Sequence, residues 1–306
     1  METDDKKNND KILNRGTGLL IIEVRHSNPN GDPDTESDPR IIDSDALGLI
    51  SPVSFKRKLR DLVGDHEGPV WQEAQKVLGL GTTGNGHAYG ILESRGRELK
   101  EILKMAAQPF MDAFWDGRVF GNTTLEKIEA KETKSEKSHF ISTGVVQVGM
   151  GVSVAPIEVE RLTLTAAAQK QEGKSRGMAP LGWRVVRHAV YTMPFFVNPM
   201  MARKTGCDSR DIDLMKFLIP QAYRNTASGI RPFVEIRHAW YAEHTSPLGS
   251  CPDSLIIDAL TPRKTKGNPD EPSISIEEYE PIPTTLKEAV RSRLESFEDL
   301  CAKRWS

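Results

Sequence analysis

The chain has 306 residues, a hydrophobic fraction of 38% and a formal net charge of −2, with 41 basic against 43 acidic side chains. Such a composition fits a folded globular protein, either one elaborated domain or two, and excludes both a disordered chain and one that binds a polyanion through bulk charge. Cys207, Cys251 and Cys301 are far apart with no CxxC pair, so neither a disulfide framework nor a zinc ribbon is indicated and a reducing compartment is expected.

Residues 1–16, rich in Asp, Lys and Asn, are expected as a mobile tail; they hold no signal-like apolar run, and no stretch approaches a membrane span, which points to a cytoplasmic protein. The short β-prone run Gly18 to Val24 predicts a central strand, ended by the turn-rich stretch Asn28-Pro29-Asn30-Gly31-Asp32-Pro33-Asp34. Ser51 is a candidate N-cap with Pro52 at the first helical position. In the helix that follows, Phe55, Leu59, Leu62 and Val63 share one face, while Lys56, Arg57 and Arg60 form a basic one.

Residues 64–139 read as an insertion: a helix near Val70 to Leu78, a glycine-rich loop, a helix near Glu98 to Phe114, and a charged stretch from Leu125 to His139. That last stretch alternates Glu and Lys, which suits a solvated loop. From Thr143 to Val154 glycine and valine suggest a strand approached closely by another backbone. A strand over Glu158 to Thr165 and a strand over Arg184 to Val197 flank an exposed basic hairpin carrying Lys170, Lys174 and Arg176. Asp208 with Asp211 opens a helix lined by Ile212, Met215, Leu218 and Ile219 until Pro220, and Phe233 to Tyr241 makes a closing strand.

This order, βαββαβ, is the plan of an α+β, ferredoxin-like sheet. Its palm would use residues 17–63 and 140–260; a Pro-rich linker and a C-terminal helix opened by a Thr285–Glu288 capping box, with Leu286, Val290, Phe297 and Cys301 on its face, would fill 261–306.

Two features suit a polyanion: the rigid NPNGDPD turn and the concentrated cations of Ser54-Phe55-Lys56-Arg57-Lys58-Leu59-Arg60. Other signals carry less. Gly79, Gly81 and Gly84 match a dinucleotide fingerprint but follow a helix and precede none. The NPNGDPD register puts Pro33 or Thr35 where a calcium loop needs glycine, and the histidines lack metal-ligand spacing, so no metal or other cofactor is expected.

The ordered set NPNGDPD, SFKRKLRDL, Trp115-Asp116-Gly117-Arg118-Val119-Phe120-Gly121, Gly144-Val145-Val146-Gln147, the stretch from His188 to Gly206, and Ser246-Pro247-Leu248-Gly249 resembles the Cas-seven family, the backbone subunit of type I CRISPR Cascade complexes, in its I-B/I-C branch. The resemblance spans residues 17 to 260. It implies an RNA-recognition-motif-like palm, a finger-like insertion over 64–139, a thumb hairpin at about 165–185, and copies stacked head to tail along a CRISPR RNA that pairs with target DNA beside other Cascade subunits. Such a protein reads phosphates and shape rather than base sequence.

On that reading Lys56, Arg57 and Arg60 contact guide phosphates, with Lys58 a weaker candidate, and Asn28 and Asn30 either shape the loop or hydrogen-bond ribose. Lys170, Lys174 and Arg176 would hold a kinked backbone, with Met178 as a wedge against a displaced base. Arg224 and Arg231 flank the end of the second helix, where cations also suit the helix dipole. The expected protein is not an enzyme. The competing reading is target-RNA cleavage of the type III kind by Asp38, which stands at the family's distance from the basic helix but before Pro39 in a loop already rich in Asp.

Overall fold

The computed structural model describes residues 13–81, 88–94, 111–121, 143–167 and 178–302. In chain order these form β1 (Gly16–Ser27), β2 (Ile41–Ile42), β3 (Leu47–Ile50), α1 (Pro52–Gly64), α2 (Pro69–Leu78), α3 (Trp115–Phe120), β4 (Val146–Val148) and β5 (Gly151–Pro156). There follow β6 (Val159–Ala167), β7 (Met178–Val197), α4 (Ala202–Thr205), α5 (Ser209–Leu218), β8 (Val234–His244), α6 (Asp253–Leu260), α7 (Glu288–Arg291) and β9 (Leu294–Asp299).

β1 opens with nine buried residues in a row, and a strand buried on both faces must be internal. It pairs antiparallel with β7 on one side and β8 on the other. The described strands form one sheet in the order β2-β3-β5-β7-β1-β8-β9, with β4 and β6 also paired to β7. Every ladder among them is antiparallel.

Alternation along β1 feeds two cores. Leu20, Ile22 and Val24 pack with Phe55 and Leu59 of α1, Met215 and Leu218 of α5, and Trp115. Leu19 and Ile21 face the other way, onto Trp240, Ile256, Leu260, Tyr279 and Leu286. Each fully buried aliphatic side chain contributes roughly 1.5–3 kcal/mol. The sheet is therefore covered on both faces, by helices on one and by residues 251–290 on the other.

Local chemistry sets the boundaries. The Ser51 hydroxyl accepts from the Ser54 amide at 3.2 Å, and Pro52 occupies the first turn of α1. Asp208 and Asp211 form a reciprocal capping box on α5, and the chain leaves α-geometry at Ile219–Gln221, where Pro220 falls. The strand expected from Thr143 to Val154 is divided into β4 and β5, and the close backbone approach expected of it occurs ahead of both, at Gly144: a Cβ there would lie 2.3 Å from the Phe120 carbonyl carbon. Gly144→Ala is expected to destabilise the fold by about 1–3 kcal/mol, read from urea denaturation, because backbone rather than a side chain would have to move.

One expectation meets a different outcome. The helix predicted from Thr285 shrinks to the single turn α7, with Lys287 at its N-cap and no side-chain cap. Residues 294–299 form β9 instead, because pairing with the open edge of β8 and stacking of Phe297 on Trp240, ring centroids 5.2 Å apart, outweigh helical periodicity. The C-terminal extension is thus a cover that ends in a strand, and Cys301 lies beyond that strand, buried in the helical-face core. Of the helix predicted over Glu98 to Phe114, residues 98–110 lie outside the described residues, as do the charged stretch 125–139 and Gly84.

The cover is tied to the start of β1 by polar side chains. Asp253 on α6 receives Arg15 and the Thr17 hydroxyl, and the buried His244 sits with Nε2 3.0 Å from that hydroxyl. Burial lowers the His244 pKa below its ordinary 6.5, outweighing the nearby Asp253 carboxylate. Burial pushes Asp253 up, but hydrogen bonds from Arg15 and Thr17 outweigh it and leave the carboxyl below its ordinary 3.8.

For His244 the unfolded chain binds a proton as pH falls through 6.5 while the folded chain does not, so stability declines from there down to the folded value. The Asp253 contribution holds above 3.8 and goes only as pH falls through its still lower folded value. Melting temperature is expected to fall between about pH 7 and 5, with a shallower slope in His244→Gln.

Candidate nucleic-acid interface

The cations of α1 do not share one environment. Lys56 is half-buried with its amine 5.3 Å from the Phe120 ring centre, and its pKa is lowered by burial and by Arg60, against the pull of Glu93. Arg57, also half-buried, donates to the Glu93 carbonyl. Arg60 is only 4% exposed: Nε lies 2.9 Å from Asp116 Oδ2 and Nη1 3.0 Å from Glu93 Oε2. Lys58 is buried as well. The basic face predicted from periodicity is therefore a rim at Lys56 and Arg57 above an internal ion pair at Arg60, because Glu93 and Asp116 with their neighbours pack over that side of the helix.

Those residues are organised by the WDGRVFG motif. The Asp116 carboxylate accepts from the Leu92 and Glu93 amides at 2.7 and 3.1 Å besides Arg60. Arg118, fully buried, places Nε and Nη2 each 2.8 Å from the two oxygens of Asp211 and also donates to the carbonyls of Ala88, Met111 and Asp112. Trp115 Nε1 donates to the Asp211 carbonyl at 3.2 Å. Opposite charges two residues apart in an otherwise apolar septet are the sequence signal of this buried network.

The NPNGDPD stretch forms a tied loop. Asn28, 2% exposed, donates to the carbonyls of Ser37 and Arg184 at 2.8 and 3.0 Å. Asn30 Oδ1 accepts from the Ser51 amide at 2.7 Å and so joins the loop to the N-cap of α1. Asp32 caps the turn at Pro33–Thr35, and Glu36 and Ser37 take left-handed backbone angles, φ 53° and 68°. These hydrogen bonds of Asn28 and Asn30 tie the loop to β7 and to α1. Arg231 Nε donates to the Asn28 carbonyl at 2.8 Å, which makes it a brace for the same loop. Arg224 is exposed, on the rim of a cavity of about 370 Å³ lined also by Tyr223, Phe233 and Glu235.

β6 and β7 form a hairpin paired from Val159–Val186 to Ala167–Met178. Lys170, Lys174 and Arg176 lie between its strands, outside the described residues, and Met178 is the first residue of β7. Asp38 meets the base of this hairpin: Oδ2 lies 2.8 Å from Arg161 Nη2 and Oδ1 3.1 Å from Arg184 Nε. Arg161 and Arg184 are candidates that sequence reasoning does not single out, since their juxtaposition depends on strand register. No described helix is long and apolar enough to cross a membrane.

An antiparallel sheet covered on both faces, with a hairpin, a tied loop and a cationic helix rim, defines a mixed α/β protein. The family model for CRISPR-associated protein Cas7 matches residues 14–283, and the chain belongs to that family. A curated relative, CRISPR-associated protein Cas7 of Haloferax volcanii, is 26% identical over 223 residues, 70% of this chain. The chain spans 65% of that relative's own length.

Among solved structures, a chain of a CRISPR RNA-guided surveillance complex in a pre-nicking state is similar at TM-score 0.46 and 13% identity, over 80% of this chain and 81% of that one. A chain of the type III-B Cmr-beta complex bound to cognate target RNA is similar at TM-score 0.37 and 9% identity, over 75% and 61% of the two chains.

The two kinds of cation on α1 separate experimentally. Arg60→Ala strands Asp116 in a dry site and is expected to cost about 3–5 kcal/mol in urea denaturation, whereas Lys56→Ala with Arg57→Ala costs about 1 kcal/mol or less.

Proposed function

We propose that this protein is the CRISPR RNA-binding backbone subunit of a type I surveillance complex of the I-B/I-C branch, polymerising head to tail along the guide and presenting it for pairing with target DNA. The observation that carries this reading is the Cas7 family match over residues 14–283. The order β5-β7-β1-β8, with α1 between β1 and β5 in the chain and α5 between β7 and β8, supports an RNA-recognition-motif-like palm. Residues 64–139 then serve as fingers, and the β6–β7 hairpin, about 165–185, as the thumb.

Lys56 and Arg57 grip guide phosphates from the helix rim, joined by Lys170, Lys174 and Arg176 of the thumb, with Met178 wedged at a displaced base. Arg224 is a further phosphate contact at the palm. Arg60 is left out of this set, since its guanidinium is committed to Asp116 and Glu93. Asn28, Asn30 and Arg231 hold the loop that backs the helix. Because the cover occupies the sheet face opposite the helices, stacking of bases on that face has no role. The protein acts in the cytoplasm, without a cofactor and without cleaving RNA.

Purification alone and with a co-expressed CRISPR array tests the assignment. RNA-bearing oligomers of graded size should become uniform with the array, and Lys56→Glu with Arg57→Glu should strip the RNA from a folded protein. Full RNA retention in that variant would sink the role of the helix rim. The assembled complex is expected to leave a labelled complementary RNA intact; regular cleavage lost in Asp38→Ala would establish the enzymatic reading instead.

A further inference from the structure

We infer that Asp38 is a positioning residue for the β6–β7 hairpin, whose carboxylate is the counterion of an arginine pair that strand register sets face to face. Arg161 and Arg184 are direct partners across the hairpin ladder. Like charges in that relation are destabilising unless something sits between them. Asp38 sits there, one oxygen 2.8 Å from Arg161 and the other 3.1 Å from Arg184. The other acids along this stretch have partners of their own: Glu158 pairs with Arg187 at 3.0 Å, and Glu160 lies 3.0 Å from His26 and 3.9 Å from Arg187.

The position of this cluster in the hairpin matters. Pairing of β7 with β1 stops at Val186, and its described pairing with β5 covers Thr192 and Tyr191. Residues 178–185 of β7 thus pair only with β6 among the described strands, and the arginine rung is the second one past the point where β1 lets go. Support at that rung comes from the 28–40 loop. Arg184 Nη1 donates to the Glu36 carbonyl at 2.8 Å, its other end pairs with the Glu36 carboxylate, and Asn28 donates to the Arg184 carbonyl. The same loop is fixed to the N-cap of α1 through Asn30. Asp38 is the link in this series that meets both strands, so it sets the pose of the hairpin relative to α1.

Hydrogen exchange on the full-length protein without RNA tests this directly. In Asp38→Ala, and in Asp38→Asn as a variant that keeps the loop's polar volume, amides over 159–163 and 182–186 should lose protection by about three- to fivefold, the scale of one unfavourable cross-strand pair, while β1 and β8 amides keep theirs. Adding Arg161→Gln to Asp38→Ala should restore most of that protection by removing the repulsion. Unchanged exchange in both single variants, a loss spread equally over β1 and β8, or a double variant no better than Asp38→Ala would each overturn the inference. The measurement needs no nucleic acid, so its failure is distinct from failure of the guide-binding reading.

Discussion

α3 and the helices beside it are held together by charge in a place where charge is costly. Arg118 and Asp211 are both fully buried, and moving such ions out of water costs several kcal/mol each unless geometry compensates. Here it does: two guanidinium nitrogens meet the two carboxylate oxygens, and the remaining donors find three backbone carbonyls. Burial alone would lower the Arg118 pKa; the Asp211 partner reverses that and raises it. Two residues earlier Asp116 does the complementary job, gathering Arg60 and the amides of residues 92 and 93. With those anchors α3 pins α1 and α5 at once, and the close passage of Gly144 behind Phe120 carries the chain on into β4.

This arrangement divides the cations of the protein into two populations. Arg60 and Arg118 work inward, as parts of the scaffold. Lys56, Arg57 and Arg161 stay within reach of solvent, the first two on a helix anchored through Arg60 to Asp116 and Glu93. Both faces of the sheet are spent on packing, which leaves the exposed polar groups of the described residues to rims, loops and the hairpin. A near-zero net charge accompanies this, and several exposed cations are matched by acids nearby, Arg25 by Glu23, Arg161 by Asp38 and Arg237 by Glu235.

How much of this was legible depended on the range of the interaction. Features settled within a few residues could be read directly: the Ser51 cap with Pro52, the Asp208–Asp211 box, the interruption at Pro220, and the central place of β1. The amphipathic pattern of α1 located its apolar face correctly but could not tell that residues more than thirty positions away would cover Arg60. The helix expected after Thr285 failed for a related reason, since an open β8 edge is a property of the folded sheet and not of the segment that fills it. Arg161 and Arg184 could not be found at all, because cross-strand register across the hairpin is invisible to spacing. WDGRVFG was readable as a signature, yet its meaning as an ion network needed the position of Asp211.

The strand β9 that replaced the expected helix also decides what the margins of the sheet can offer. At one margin lies β2, two residues long; at the other lies β9, which carries Glu295, Glu298 and Asp299. Very short or acidic margins are poor templates for an incoming strand. Addition of a further strand is thereby discouraged at both ends of that path, and among the described strands β6 keeps one long edge unpaired beside β7.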